Sequence, residues 1–498
     1  MNSSTPAPHP PAPSEANKQP IEIISRIINV LERLRYPTFL LVASLTAFVI
    51  VIYFFSPRFV IWEGVGLGTP ISYSNPEVNR ALFTLKKIET PFQFILYPPP
   101  DQNFSANWRF FFPLLGHYLH IPALIFFCLP HFGCLIVLAL IIHLVCKYTG
   151  NRLLALETAI LMATTSWFFV STGWLTYFDS WLVLGLLVIS FSSSFWMVAF
   201  ACAITPWIDE RFVMTLPIAC IVRGVYFNLF SQRLWKSYWR DILIICVATF
   251  PWIVFHLFIE FQGITPYPVS DHVKHLSKNI LLGKVITSHW AGLRLVWIFV
   301  LLFMWYAFRP WKQRWIPAVL GIILTSEVLL LATLAGDWSR NMSTLIPAAV
   351  LGVLLLHKYS TVWAHNCVFL ATVFNLLAPA SHGFDTWQLP ISNLNTEIEH
   401  YKNPPDYLNP LAYTQLAVQL INKGDLTNAL NTLNQALYLD SKHPDALFTR
   451  ASLRQQMGDA AGSLDDFTTL MIVAPQYTKR QHEQSRPVTF TADSLQAN

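Results

Sequence analysis

About eleven apolar segments run down this chain, and every second connection between them is basic. A helix needs about 20 apolar residues to cross a bilayer. Only helices and closed barrels satisfy their own backbone groups in hydrocarbon. The runs fall at 37–55, 122–146, 153–172, 180–194, 195–208, 212–230, 242–261, 290–308, 316–335, 342–356 and 361–378. They predict an all-α fold, with a polytopic helical membrane domain over 37–378. Only 12% of the 498 residues are charged, against about 25% in a soluble domain.

The basic clusters give the orientation. Arg26, Arg33 and Arg35 precede the first run, and parity puts Lys147/Arg152, Arg233/Lys236/Arg240, Arg309/Lys312/Arg314 and Lys358 on the same side. Cations stay in the cytoplasm, so the N-terminus is predicted inside and the C-terminus outside. This parity needs 180–208 to be two short helices meeting at Ser192-Ser193-Ser194. The same rule accounts for the net charge of +5. No basic stripe of the kind that binds nucleic acid is visible.

Residues 1–20 are rich in Pro, Ser and Ala and predict a disordered cytoplasmic tail. Ile21, Ile24, Ile27, Ile28, Leu31 and Leu34 then recur at helical spacing among arginines, which predicts an amphipathic interfacial helix over 21–36. All seven cysteines lie within apolar runs without zinc-ligand spacing, as small core hydrophobes.

Composition turns polar after Pro379. Residues 379–408 read as a linker and 478–498 as a disordered tail. Between them, 409–477 is self-similar at 34 residues: Tyr413, Leu416-Ala417, Gly424-Asp425, Ala429 and Ala436-Leu437, then Arg450-Ala451, Gly458-Asp459, Leu464, Phe467 and Pro475. This resembles two tetratricopeptide repeats, a short α-solenoid that implies a protein partner. Ser463 and Ser441 stand where Ala and Pro are usual.

The outer connections hold the candidate chemistry. Asp337-Trp338-Ser339-Arg340 is the tightest group. An acid and an Arg three apart suit a phosphate headgroup and a sugar hydroxyl, because the planar guanidinium donates two bonds at once. As a bland alternative they form an interfacial salt bridge. Asp209-Glu210-Arg211 is either a polar lid or a solvated turn, and Asp179 either an N-cap or a ligand contact. Glu327 lies inside a run and is either functional or paired. Arg223 reads as snorkelling to the inner surface. His117 and His120 share a helical face but lack a third ligand, so no metal site is predicted.

This layout is similar to the GT-C membrane glycosyltransferases, some of which carry C-terminal tetratricopeptide repeats. Asn107-Trp108-Arg109-Phe110-Phe111-Phe112-Pro113 resembles the entry to their second helix, and Asp337 to Pro347 a late outer turn. The resemblance implies transfer of a sugar from a polyprenyl-phosphate donor to an acceptor on the outer face. It implies an acid in the first outer loop as general base, here Glu63 or Asp101, with Asp337 a further catalytic candidate. Members often carry an acidic pair close behind the first helix, where this chain has Glu63 alone. Arg340 would hold the lipid phosphate, with Arg211, Arg109 and Arg294 behind it and Asp179, Asp209 and Glu210 lining the site.

The lipid-linked donor and membrane lipids are the implied ligands. A divalent metal is compatible with such chemistry, but no ligand set supports one. The expected location is a bacterial inner membrane, with the repeats in the periplasm. Two other functions fit the same sequence. One is a non-catalytic scaffold of envelope or polysaccharide assembly working through 409–477. The other is a transporter, which would show matching halves.

Overall fold

The computed structural model describes residues 32–59, 62, 76–93, 108–230, 235–261, 282–308, 338–383, 388–402 and 410–475. Helices occupy every expected apolar run except 316–335, which lies outside the described residues together with Glu327 and the two tails. In chain order they are α1 (Tyr36–Phe54), α2 (Pro76–Glu89), α3 (Phe111–Leu119), α4 (Ala123–Thr149), α5 (Arg152–Ala163), α6 (Ser166–Gly173) and α7 (Asp179–Phe191). There follow α8 (Phe195–Ile204), α9 (Arg211–Phe230), α10 (Trp235–Phe261), α11 (Leu282–Leu293), α12 (Trp297–Phe308), α13 (Ile346–Tyr359) and α14 (Thr361–Leu377).

Among the described residues six helical stretches are long and apolar enough to cross a membrane, or seven if the bent α5–α6 pair is one span. Helices α7 and α14, and α8 with its following turn, are apolar but shorter. Length and composition make this a multi-pass membrane protein. α1 shows how a face is chosen. Phe39, Ala43, Ala47 and Val51, four apart, are buried, while Leu41, Leu45 and Val49 stay exposed. Such an apolar exposed face suits lipid. α13 runs through the middle, buried continuously from Ile346 to Leu356.

Contacts between distant segments sort the bundle into two ends. At one, Arg152 donates to the carbonyl of Leu34, Tyr148 meets Tyr226, and Lys358 donates to the carbonyl of Leu229. At the other, Ser56 N–H reaches Ser392 O, Arg340 reaches Asp179, and Ser339 pairs with His382. Lys147, Arg152 and Lys358 therefore cluster away from the acid-bearing turns.

Three local features differ from expectation. The run 153–172 is not one straight helix: α5 and α6 meet at 67°. Thr164 and Thr165 turn their hydroxyls back onto the carbonyls of Leu161 and Met162. Such back-bonding competes with the helical ladder and bends it. The 379–408 segment is more than a linker. It forms an antiparallel hairpin, β1 (Ala380–Gly383) with β2 (Gln388–Ile391), and then α15 (Leu394–Lys402). Arg223 does not snorkel. It is 1% exposed, forks onto Asp241, and donates to the carbonyls of Ile189 and Ser192.

That last contact terminates α7, whose final carbonyls lack helical partners. The chain breaks at Ser192–Ser194 and returns as α8, bringing Thr205 against Gly185. Residues 180–208 are thus two helices folded side by side.

α12 and α13 touch backbone to backbone. A Cβ at Gly352 would fall on the carbonyl of Phe299. Small residues at helix contacts permit such approach in membranes. Gly352→Ala is expected to destabilise the bundle by about 1–3 kcal/mol through overpacking, read as an earlier denaturation midpoint in detergent.

Residues 410–475 form two helical hairpins, α16 (Pro410–Asn422) with α17 (Leu426–Leu439) and α18 (Pro444–Gln456) with α19 (Ala460–Val473). Gly424 and Gly458 hold the turns at φ 82° and 83°, where a Cβ is disfavoured. Asp425 and Asp459 cap the second helix of each hairpin. Ala417, Ala429, Leu433, Ala436, Leu447 and Leu470 build a separate apolar core, beside which Arg450 forks onto Asp466 at 2.9 and 2.6 Å.

Candidate functional site: a buried ion network and an adjoining crevice

Three short connections converge at the end opposite the basic cluster. The turn before α7 brings Asp179, the 3-10 turn after α8 brings Asp209 and Glu210, and the short helix Trp338–Asn341 brings Arg340. The start of α9 adds Arg211, and the approach to α3 adds Arg109.

These six side chains form one network. Arg340 forks onto Asp179 at 3.1 and 2.7 Å. Asp179 also accepts from Arg211 at 2.6 Å. Arg211 forks onto Asp209 at 2.9 and 2.7 Å. Arg109 forks onto Glu210 at 2.9 and 2.7 Å and lies 3.8 Å from Asp209. Three cations balance three anions, and Asp179, Asp209, Arg211 and Arg340 are each 6% exposed or less. Bidentate, charge-assisted bonds of this kind are the strong ones.

The local chain explains the geometry. Asp209 Oδ1 accepts from the Arg211 N–H at 3.0 Å, so one carboxylate serves the first turn of α9 and its guanidinium together. Asp179 is not an N-cap. Phe178 holds that position without a side-chain cap, and Asp179 opens the helix with its carboxylate given to two arginines.

Burial opposes every charge here, and the partners outweigh it. Burial would raise the Asp209 carboxyl, but Arg109 and Arg211 hold it well below the usual carboxylate range. Arg109 likewise holds Glu210 down, and Asp209 with Glu210 lifts Arg109 despite burial.

The six residues expected to bind substrate or lipid phosphate are thus brought together, but as partners of one another. Arg340 and Arg211 spend their forks on Asp179 and Asp209, so the assignment of Arg340 to a phosphate is not supported. Arg294 stands apart, donating to the carbonyls of Asn375 and Ala378 at 2.5 Å, at the end of α14. Glu63, Asp101 and Asp337, the candidate acids, lie outside the described residues. Among the described residues no three His, Cys, Asp or Glu groups are placed to hold a metal. His117 instead meets the carbonyl of Ile88 at 2.8 Å.

Beside the network lies a crevice with about 390 Å3 of empty space, including its open mouth. α2 forms one wall with Arg80, Thr84 and Lys87, while Arg109 and Thr176 stand among the others. Tyr177 joins crevice to network, since Arg80 lies 3.8 Å and Arg340 4.3 Å from its ring centroid. The pattern of apolar runs predicts no helix at 76–89. Yet positions 80, 84 and 87 share one helical face, a signal present in the spacing.

No family profile matches this chain, and no curated protein matches it.

Proposed function

We propose that the protein is a GT-C-like glycosyltransferase, moving a sugar from a polyprenyl phosphate to an acceptor at the face carrying the ion network. One observation carries the reading: a preorganised, largely buried network of six charges beside an open cationic crevice, at the end of an apolar bundle opposite Lys147, Arg152 and Lys358. In this reading the acceptor oxygen attacks the anomeric carbon, the bond to the lipid phosphate breaks, and Glu63 or Asp101 takes the acceptor proton. The network holds the connections in place rather than touching donor.

The finer topology belongs to the same proposal. It has about eleven spans, the N-terminus in the cytoplasm by the positive-inside rule, and 410–475 as tetratricopeptide-like repeats on the outer side of a bacterial inner membrane. A partner docks on those repeats. The scaffold reading draws on one observation, the exposed Leu464, Met471 and Ile472 along α19.

Native mass spectrometry from mild detergent tests the function. A co-purified polyprenyl phosphate or its glycosylated form is expected. Glu63→Gln or Asp101→Asn should then keep the lipid and lower transfer by about 10²–10⁴-fold, the worth of a general base. Ordinary phospholipid alone, with transfer untouched by both substitutions, would overturn it in favour of the scaffold.

A further inference from the structure

Three anomalies meet in the crevice beside the network. The first is charge. Arg80, Lys87 and Arg109 line it, and no carboxylate does so among the described residues. Arg109 is oriented by its fork to Glu210, but Arg80 rests on the Tyr177 ring, and Lys87, 5.3 Å from the Phe110 ring centroid, donates only to the carbonyl of Gln93 at 2.7 Å among the described residues. Lys87 is nonetheless 2% exposed. A buried ammonium without a counter-charge is costly.

The second anomaly is a hydroxyl. Thr176 lines the crevice, is 5% exposed, and its Oγ1 has no hydrogen-bond partner among the described residues. An unsatisfied buried donor costs about 1–3 kcal/mol. The third is backbone. Thr176 sits at φ 66°, where a β-branched residue is an outlier. Such strain persists where the surroundings over-determine it, and it clusters at ligand clamps.

One ligand removes the first two at once. An oxyanion in the crevice would accept from Lys87, Arg80 and Thr176 together and supply the missing negative charge. Two cations lining one crevice, beside a third already given to Glu210, suit a phosphate group.

We propose that the crevice between α2 and the Thr176 turn is a binding site for a phosphate group, held by Arg80, Lys87 and the Thr176 hydroxyl beside Arg109. The site stands on these residues whether or not the protein transfers sugars. The phosphate can come from a lipid headgroup or from a soluble phosphate, and the test separates the two.

The full-length protein is placed in phosphatidylcholine nanodiscs and titrated with inorganic phosphate by calorimetry. In a second arm, nanodiscs contain increasing phosphatidic acid, and protection is read as the rise in unfolding temperature. Saturable binding in the first arm marks a soluble ligand. Protection in the second arm alone marks a headgroup.

In the responding arm, Arg80→Gln and Lys87→Gln should each weaken binding at least tenfold. Lys87 adds a pH signature, because burial lowers its ammonium to about 8. Around it stand Arg80 on its own helix, Arg109 with Glu210 behind it, His117 of α3 near Ile88, and the Phe110 ring. The affinity advantage of the wild type over Lys87→Gln should shrink as pH rises through about 8, the ligand's own ionisation being common to both. Thr176→Gly relieves the strained φ, so its unfolding temperature should be no lower than wild type while binding weakens severalfold. A merely structural Thr176 would leave binding unchanged. No response in either arm, or a response that survives both Arg80→Gln and Lys87→Gln, overturns the site.

Discussion

Replacing Asp179 by Asn is expected to cost about 3–5 kcal/mol of stability, the usual penalty for breaking a buried ion pair from one side. Asp179 is fully buried and neutralises Arg340 through a fork and Arg211 through a further bond. An amide leaves one positive charge too many in a six-membered network of which four groups are buried. Removing a matched pair should be milder. Asp179→Leu with Arg340→Leu leaves Arg211 on Asp209 and Arg109 on Glu210, so that four charges still balance. The double variant should therefore unfold later than either single one in the same detergent. Additive losses would refute a shared network. Acid should discriminate as well. Asp209 and Glu210 are held below their usual values, so their contribution is complete above pH about 4 and is lost only as pH falls through their lowered native values.

Much of this network is legible in the sequence. Asp179, Asp209-Glu210-Arg211 and Arg340 stand in connections that alternation of the apolar runs assigns to one end. The pairing is not legible there. Arg340 lies close to Asp337 along the chain, and nothing in that spacing shows that it forks onto Asp179, 161 residues away. Which acid meets which arginine depends on how α7, α9 and α13 pack, and no periodicity encodes that. The β1–β2 hairpin escapes notice because four-residue strands are too short to show an alternation. α2 hides inside a segment that reads as a loop, although its polar face is there to be counted. The bend at Thr164–Thr165 turns on two hydroxyls within a run whose mean apolarity hides them, a signal that hydrophobicity alone passes over.

Arg223 poses the same problem at the far end of α7, and its substitution is expected to have an effect of similar size. A snorkelling arginine contributes through its stem and tolerates Lys, because only the position of the charge matters. Here the guanidinium reaches Asp241 with two nitrogens at 3.0 and 2.6 Å and the carbonyls of Ile189 and Ser192 with the third at 2.6 and 2.8 Å. Arg223→Leu takes the bidentate partner from a carboxylate that is 4% exposed, leaving Arg240 at 3.8 Å, and unties the end of α7. A loss of about 3–5 kcal/mol follows. Arg223→Lys should recover less than half of it, since an ammonium is a point donor and cannot span the fork and both carbonyls. Arg223→Leu with Asp241→Leu should recover more than Lys does, because no charge is left behind. An order of wild type, double variant, Lys variant and Leu variant in detergent unfolding supports the fork. Equal stability of wild type and Arg223→Lys would return Arg223 to the membrane surface and leave the break at Ser192–Ser194 to the serines alone.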